Sequence, residues 1–379
     1  MKGPVIETQG QLVEMPRQLI KTRRQYIETL TTIDSKSWDN TLKEIGEYDF
    51  FHMSGYHRLA ELRGEGRAEM LVYREGDYVV AFPLLLRKIK PMDDKLNFVD
   101  ATSVAGLAGP ISSAPLPDKT RKRFHEYLQD FFEQNNIVSV YSRLNPLINQ
   151  PELLEGYGEV VEIGVTQSID LTPPPEVQYA RYRKSHRHNI RRLKRMGFVC
   201  EKVGIEYLDD FMRIYIQTMN RLNANNAYYY DKSYFEFLLR EMSDVVCLFI
   251  CRDGDNLASA KICASCCGIV ESYLSGTADE YLPLAPAKLL TDAIRIWAND
   301  IGAKTFHMGG SVGGRRDSLS DYKMGFGARE HVYSTWRHVI DQKAYDYLCN
   351  EAYLQAGGEP KTQYFPKYRN PFLTLAAIT

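Results

Sequence analysis

Phe306-His307-Met308-Gly309-Gly310-Ser311-Val312-Gly313-Gly314-Arg315-Arg316-Asp317-Ser318-Leu319-Ser320-Asp321-Tyr322-Lys323-Met324-Gly325-Phe326-Gly327 leaves an expected strand, Lys304 to Met308, and enters a loop with six glycines within nineteen residues. Glycine lets backbone approach a ligand closely, and cations follow in the same loop. A flexible surface loop is the alternative reading of a bare glycine-rich stretch; Arg315, Arg316, Asp317 and Lys323 packed into it weigh against that. No Gly-Lys-Ser/Thr occurs, so this is neither a Walker phosphate loop nor a dinucleotide fingerprint.

Upstream of this strand, Pro286 opens an expected helix over 287–300, with apolar residues at 289, 290, 293, 294, 297 and 298. Before it come three expected antiparallel strands, Val245 to Cys251, Leu257 to Cys266 and Gly268 to Ser275, the first two joined at Asp253-Gly254-Asp255-Asn256. Before those lie two expected helices, Tyr207 to Asn225 and Ser233 to Met242. Helix, helix, meander, helix, strand is the layout of the GNAT-type N-acyltransferase fold.

The first half carries a shorter version, although no direct repeat is visible. Glu44 to Glu61 reads as an aromatic helix with Tyr48, Phe50, Phe51 and Tyr56, followed by a strand pair at 68–73 and 78–86 around Arg74-Glu75-Gly76-Asp77. A helix is expected at 119–135 and a strand at 137–141. Residues 1–30 read as a polar leader. Pro173-Pro174-Pro175 cannot continue a helix or an interior strand, so a boundary is expected near 165–175. The fold class expected is therefore α/β: a first domain at 31–165 and a second at 166–344 carrying the active site.

The 379 residues, 44% hydrophobic and 25% charged, describe a globular chain. Lys and Arg number 47 against 48 Asp and Glu, so nucleic-acid contact requires a local patch. No apolar run approaches the roughly 20 residues of a membrane span. No signal-peptide apolar core is present near Met1, and seven Cys fit a reducing, cytoplasmic setting. Cys247 and Cys251 lie in an apolar run, and Cys266 and Cys267 point to opposite strand faces, so no metal is expected.

The local patch exists. Arg181 to Arg195 holds eight Lys/Arg in fifteen residues and no acid. A helix there puts Arg183, Arg187 and Arg191 on neighbouring turns, where like charges repel unless an anion joins them. A solvated helix face is the alternative; phosphate or RNA contact is the favoured reading. Tyr228-Tyr229-Tyr230 and Tyr273 are candidates for lining a groove or for packing. The histidines form no defensible triad, and His307 is equally readable as structural.

The glycine-rich stretch from Phe306 through Lys323 to Gly327 resembles the signature of the FemAB-like aminoacyl transferases, relatives of the GNAT enzymes with two tandem GNAT-like domains. Tyr182-Arg183, His188-Asn189-Ile190-Arg191 and Gly197 resemble that family's basic helix, and Tyr273-Leu274-Ser275-Gly276-Thr277 its central strand. Ser142 to Leu147, Gly106 to Pro110 and Tyr364 to Arg369 resemble further segments of it. The resemblance covers roughly 45–370 and implies that 345–379 returns to the first domain. The charged helical arm of several cross-bridge enzymes is missing, since 197–245 is too short for it, and Ser311 replaces the usual third glycine.

The resemblance implies transfer of an amino acid from aminoacyl-tRNA to an amine, on a cell-envelope precursor or a small metabolite, without cofactor. Acyl-CoA is the alternative donor. The loop before the 287–300 helix, Tyr281 to Lys288, lacks the Arg/Gln and first Gly that hold a pyrophosphate in GNAT enzymes, and Pro286 removes an amide. A binding module with a decayed site is the third reading. The implied roles are Lys323 as the cation at the oxyanion or an adjacent phosphate, Tyr273 as a substrate-binding hydroxyl, and Arg183, Arg187 and Arg191 as phosphate ligands. Gly309, Gly310, Gly313, Gly314, Arg315, Phe326 and Tyr229 complete the expected substrate contacts.

Overall fold

The structure is a computed structural model that describes residues 25–90, 97–148, 151–311, 314, 316–359 and 363–371. The first half runs β1 (Gln25–Thr31), α1 (Ser35–Ile45), α2 (Ser54–Leu62), β2 (Arg67–Glu75), β3 (Tyr78–Ile89), β4 (Phe98–Thr102), β5 (Ile111–Ser112), α3 (Asp118–Gln134), β6 (Ile137–Arg143) and β7 (Glu159–Asp170). After α4 (Pro175–Ala180) and α5 (Lys184–Arg195), the same plan recurs. It runs β8 (Val199–Val203), α6 (Leu208–Arg221), α7 (Lys232–Glu241), β9 (Val246–Asp253), β10 (Asn256–Cys266), β11 (Ile269–Thr277), α8 (Ala287–Asp300), β12 (Thr305–Gly310), α9 (Ser318–Met324) and β13 (Arg329–Val339). Helix α10 (Gln342–Ala356) follows. These are two tandem GNAT-like lobes: a strand, two helices, a three-stranded meander, a crossover helix and a parallel strand, twice over.

One sheet runs through both lobes in the order β1-β2-β3-β4-β6-β13-β7-β12-β11-β10-β9-β8, with β5 on β3. The lobes exchange their last strands. β7 follows the first lobe but pairs with β12 of the second, and β13 follows the second but pairs with β6 of the first. β7 and β13 then pair with each other, antiparallel, across the join. The division expected at 165–166 falls inside β7.

The largest core lies between the lobes. Helices α1 and α2 contribute Trp38, Leu42, Tyr56 and Leu59, and α6 and α7 contribute Phe211, Tyr215, Phe235 and Leu238 to the same cluster. A second core under α5 and α8 covers the opposite face of the second lobe, and a third, under α3, that of the first. α10 and the segment around Tyr368 pack on β4 and β6, where the Tyr368 hydroxyl lies 2.7 Å from that of Ser139 and 3.3 Å from the Asp100 carboxylate.

Three sequence expectations are corrected. The aromatic helix at 44–61 is two helices, because Gly46 (φ +88°) ends the first and Asp49 starts a separate turn by accepting from the Phe50 N–H. The end of the expected leader is strand β1; residues 1–24 lie outside the described residues. The basic helix is broken at Arg181 to Arg183, so Arg183 caps α5 rather than lying within it. No helical arm interrupts α6 and α7, which are joined through a short turn at Asn226–Tyr228. Among the described residues, no helix is long and apolar enough to cross a membrane.

Candidate active site

β11 and β12 pair in parallel at Ile269–Thr305, Val270–Phe306 and Glu271–His307, and there the ladder stops. β11 continues along β10, where Leu274 faces Ile262 and Ser272 faces Cys263, so Tyr273 is the extra residue of a bulge. β12 continues along β7, with its own register shift between His307 and Gly310. The two strands therefore diverge past Glu271 and His307 and leave a wedge-shaped gap in the sheet.

Lys323 stands at the β12 side of that gap. Asp317 starts α9 by accepting from the Leu319 and Ser320 N–H groups, each 3.0 Å away, and from the Ser311 hydroxyl at 2.6 Å. One turn on, the Lys323 ammonium donates to the Gly309 carbonyl at 2.9 Å and the Gly310 carbonyl at 2.8 Å. Both glycines are required: Gly309 has φ +66°, and a Cβ on Gly310 would stand 2.9 Å from the Val165 carbonyl oxygen. Two of the three ammonium hydrogens are engaged, which leaves one for a ligand. Burial, and then the neighbouring Lys261, push the Lys323 pKa down to about 7 against the opposing pull of Asp317 and Glu271.

At the apex, His307 Nδ1 lies 2.7 and 2.8 Å from the two carboxyl oxygens of Glu271. Burial pushes Glu271 up to about 8 and His307 down to about 4, so at neutral pH this is a hydrogen bond between neutral groups and not an ion pair. His307 Nε2 is buried without a partner. Asp49 reaches in from the other lobe and hydrogen-bonds Glu271; burial, then Glu271, hold its carboxyl well above the usual range. Its remaining acceptors are filled by the Phe50 N–H and the Asn145 amide. This buried cluster fastens the lobes together where the strands part.

The basic helix is docked on the Lys323 helix. The Arg183 N–H donates to the Gly325 carbonyl at 2.8 Å, and His186 Nε2 lies 3.1 Å from the Tyr322 carbonyl. Gly325 allows this approach, since a Cβ there would meet the His186 ring at 2.4 Å. Arg183 and Arg191 are exposed; Arg187 donates to the Ala180 carbonyl at 2.5 Å and is half-buried. In this helix only Lys194 pairs with an acid among the described residues, lying 3.5 Å from Asp292.

The tyrosines lie elsewhere. Tyr273 is half-buried against the inter-lobe core, its hydroxyl 2.8 Å from that of Tyr56 and bonded to that of Tyr234. Lys323 belongs to the opposite face, where Tyr322 and Met324 pack on the core under α5 and α8. The two expected catalytic residues therefore flank the gap without touching. Tyr229 lines a groove of about 750 Å³ between α2 and α7, together with Arg63, Tyr230 and Tyr234.

Phe326, expected among the substrate contacts, is fully buried, edge-on to Tyr182, His186 and Tyr322. Gly314 packs on β7, where an added Cβ would stand 2.7 Å from the Gly164 Cα, so its smallness serves loop packing. Gly313 and Arg315 lie outside the described residues. Asp49, Glu271 and Lys261 escaped the sequence reading. The signal was present for two of them, as single charges inside the apolar strands Leu257–Cys266 and Ile269–Leu274.

Residues 180–324 match the family model described as an acetyltransferase (GNAT) domain. No curated protein matches the chain in sequence. Among solved structures, FemX superposes with a TM-score of 0.66 at 12% identity, covering 84% of this chain and 99% of FemX. L-PGS from Bacillus licheniformis gives 0.52 at 12% identity, over 81% of this chain and 92% of the other. The C-terminal domain of a putative lysylphosphatidylglycerol synthetase from Agrobacterium fabrum gives 0.50 at 12% identity, over 84% and 95%. At these identities the likeness is one of fold.

Proposed function

We propose, for a chain whose residues 180–324 match a GNAT acetyltransferase domain and whose two-lobed fold is like that of FemX, that the acyl group it transfers is an amino acid carried by tRNA and that the acceptor is an amine. The observation that carries this reading is the docking of the exposed cationic helix α5 on the helix that holds Lys323. A polyanion lying along Arg183, Arg187 and Arg191 has its end beside the gap.

In the reaction, the amine lone pair attacks the ester carbonyl carbon. The carbonyl oxygen becomes an oxyanion, and collapse of the intermediate forms the amide and expels the ribose oxygen of the tRNA, which leaves as a hydroxyl with the proton given up by the amine nitrogen. An ester is already activated, so the work is positioning and stabilisation of the oxyanion. The unengaged Lys323 N–H, held by two carbonyls, is the donor for it. The setting proposed is the cytoplasm, where charged tRNA is found, and the acceptor is a cell-envelope precursor or a small metabolite.

The acetyltransferase description of the matched domain favours a second reading, an acyl-CoA donor. Against it, α8 opens on Pro286, which has no N–H to offer a pyrophosphate. Incubating the protein and a cell extract with charged tRNA or with acyl-CoA, each labelled in the acyl group, separates the two. Product labelled only from tRNA supports the proposal; product labelled only from acyl-CoA sinks it.

A further inference from the structure

Lys261 has no part in the reaction just described. It lies in the middle of β10, flanked by Ala258, Ala260, Ile262 and Ala264, all buried, and is itself only 6% exposed. Among the described residues it has neither a hydrogen bond nor an ion pair, although a buried ammonium left unpaired is costly. Its strand register puts it opposite Phe249 and Ser275, on the face shared with Cys263 and covered by α5 and α8. That is the face on which Lys323 stands, also 6% exposed, across the gap between β11 and β12.

No carboxylate lies within ion-pair distance of either lysine among the described residues. The two buried lysines lie on one face of the sheet, and Lys261 is close enough to rank next to burial among the groups that depress Lys323; burial lowers the pKa of Lys261 as well. Cations continue outward: Lys288 at the start of α8 feels the charge of Arg183, which caps the basic helix. An arrangement of this kind is satisfied by an anion with several oxygens that enters from the α5 side.

We propose that Lys261 holds a phosphate group of a substrate in the gap between β11 and β12, beside Lys323, whose one free N–H is left to the oxyanion. The inference rests on the acyl-transfer reading of this site. Phosphate is common to two sources: the last phosphodiester of a tRNA donor and the diphosphate of a nucleotide- or lipid-linked acceptor.

The test is calorimetric titration of the full chain at pH 7 with two probes. Cytidylyl-(3′,5′)-adenosine represents the donor end and inorganic pyrophosphate the acceptor diphosphate. Wild type is expected to bind at least one, Lys261→Met to bind it about tenfold or more weakly, and Lys261→Arg to stay close to wild type. Loss confined to the dinucleotide assigns the donor; loss confined to pyrophosphate assigns the acceptor. Lys261→Met removes an unpaired buried charge, so its melting temperature is expected at or above that of wild type. If that variant fails to fold, Lys261→Gln takes its place, with the same weakening expected.

Equal binding by wild type and the neutral variant, or no binding of either probe by wild type at millimolar concentration, overturns the proposal. Lys261-dependent pyrophosphate binding without any binding of charged tRNA leaves this subsite standing and removes the tRNA donor.

Discussion

Glu271 and His307 form the last rung between β11 and β12, joined by side chain as well as by backbone pairing, and past them the strands separate. Asp49 of the other lobe meets the same rung, so the opening of the gap and the joining of the lobes share one buried cluster.

Glu271→Gln keeps the shape and removes the titration. The folded-state pKa is raised to about 8, so the stability Glu271 confers is fully present below its unfolded value and is lost as pH rises through about 8. The melting temperature of the variant relative to wild type is expected to climb from pH 5 to pH 9. Thermal melts across that range check it; a flat difference refutes the shift.

Lys323→Ala is expected to leave tRNA binding near normal and to reduce turnover by roughly 10² or more, the loss typical of one oxyanion donor. Single-turnover rates measured beside a binding isotherm make the distinction. An unchanged rate removes the catalytic assignment and leaves the fold and the basic helix untouched.

Lys323 works as a cation only while protonated. Its pKa near 7 predicts activity that declines as pH rises above neutral, once the ionisation of the acceptor amine is allowed for. Lys261→Met removes the positive neighbour and raises that pKa, so the declining limb should move to higher pH. A limb that stays in place shows that the two lysines do not interact.

Replacing Arg183, Arg187 and Arg191 by Gln is expected to weaken tRNA binding and flatten its dependence on salt by up to about three phosphate contacts. The fold should survive, because the change relieves repulsion between exposed like charges. Affinity measured at several salt concentrations decides it, and an unaltered slope rules out α5 as the tRNA surface.

Tyr273→Phe removes the hydroxyl that links Tyr56 and Tyr234. A loss of about 1–2 kcal/mol in stability is expected from the stranded partners. If Tyr273 also binds substrate, KM should rise beyond what partial unfolding explains; a stability loss alone assigns it to the lobe interface.

The long elements were legible because their chemistry is local. α8 was placed at 287–300 from its apolar spacing, and β9 to β11 from apolar runs broken at Gly254 and Gly268. β8 and β13 were missed because they carry little of that signal: Val199 and Val332 are exposed, most of β13 is only partly buried, and their hydrogen-bond partners lie far away in sequence. The site divided in the same way. Lys323 and its glycines stand together in the chain, whereas Asp49, Lys261 and Glu271 come together only through the sheet and the lobe interface.

The exchange of β7 and β13 bears on how the protein is made. A ribosome delivers β6 long before β13, so the first lobe emerges with the hydrogen-bonding groups of β6 uncovered along one edge. β7 likewise waits for β12. The nascent first lobe therefore carries an open edge until residues 329–339 have left the tunnel, a period in which pairing with a neighbouring chain competes with pairing at home. Both lobes are completed in the same late interval of synthesis, and a chain cut short before β13 loses a strand from the lobe that was made first.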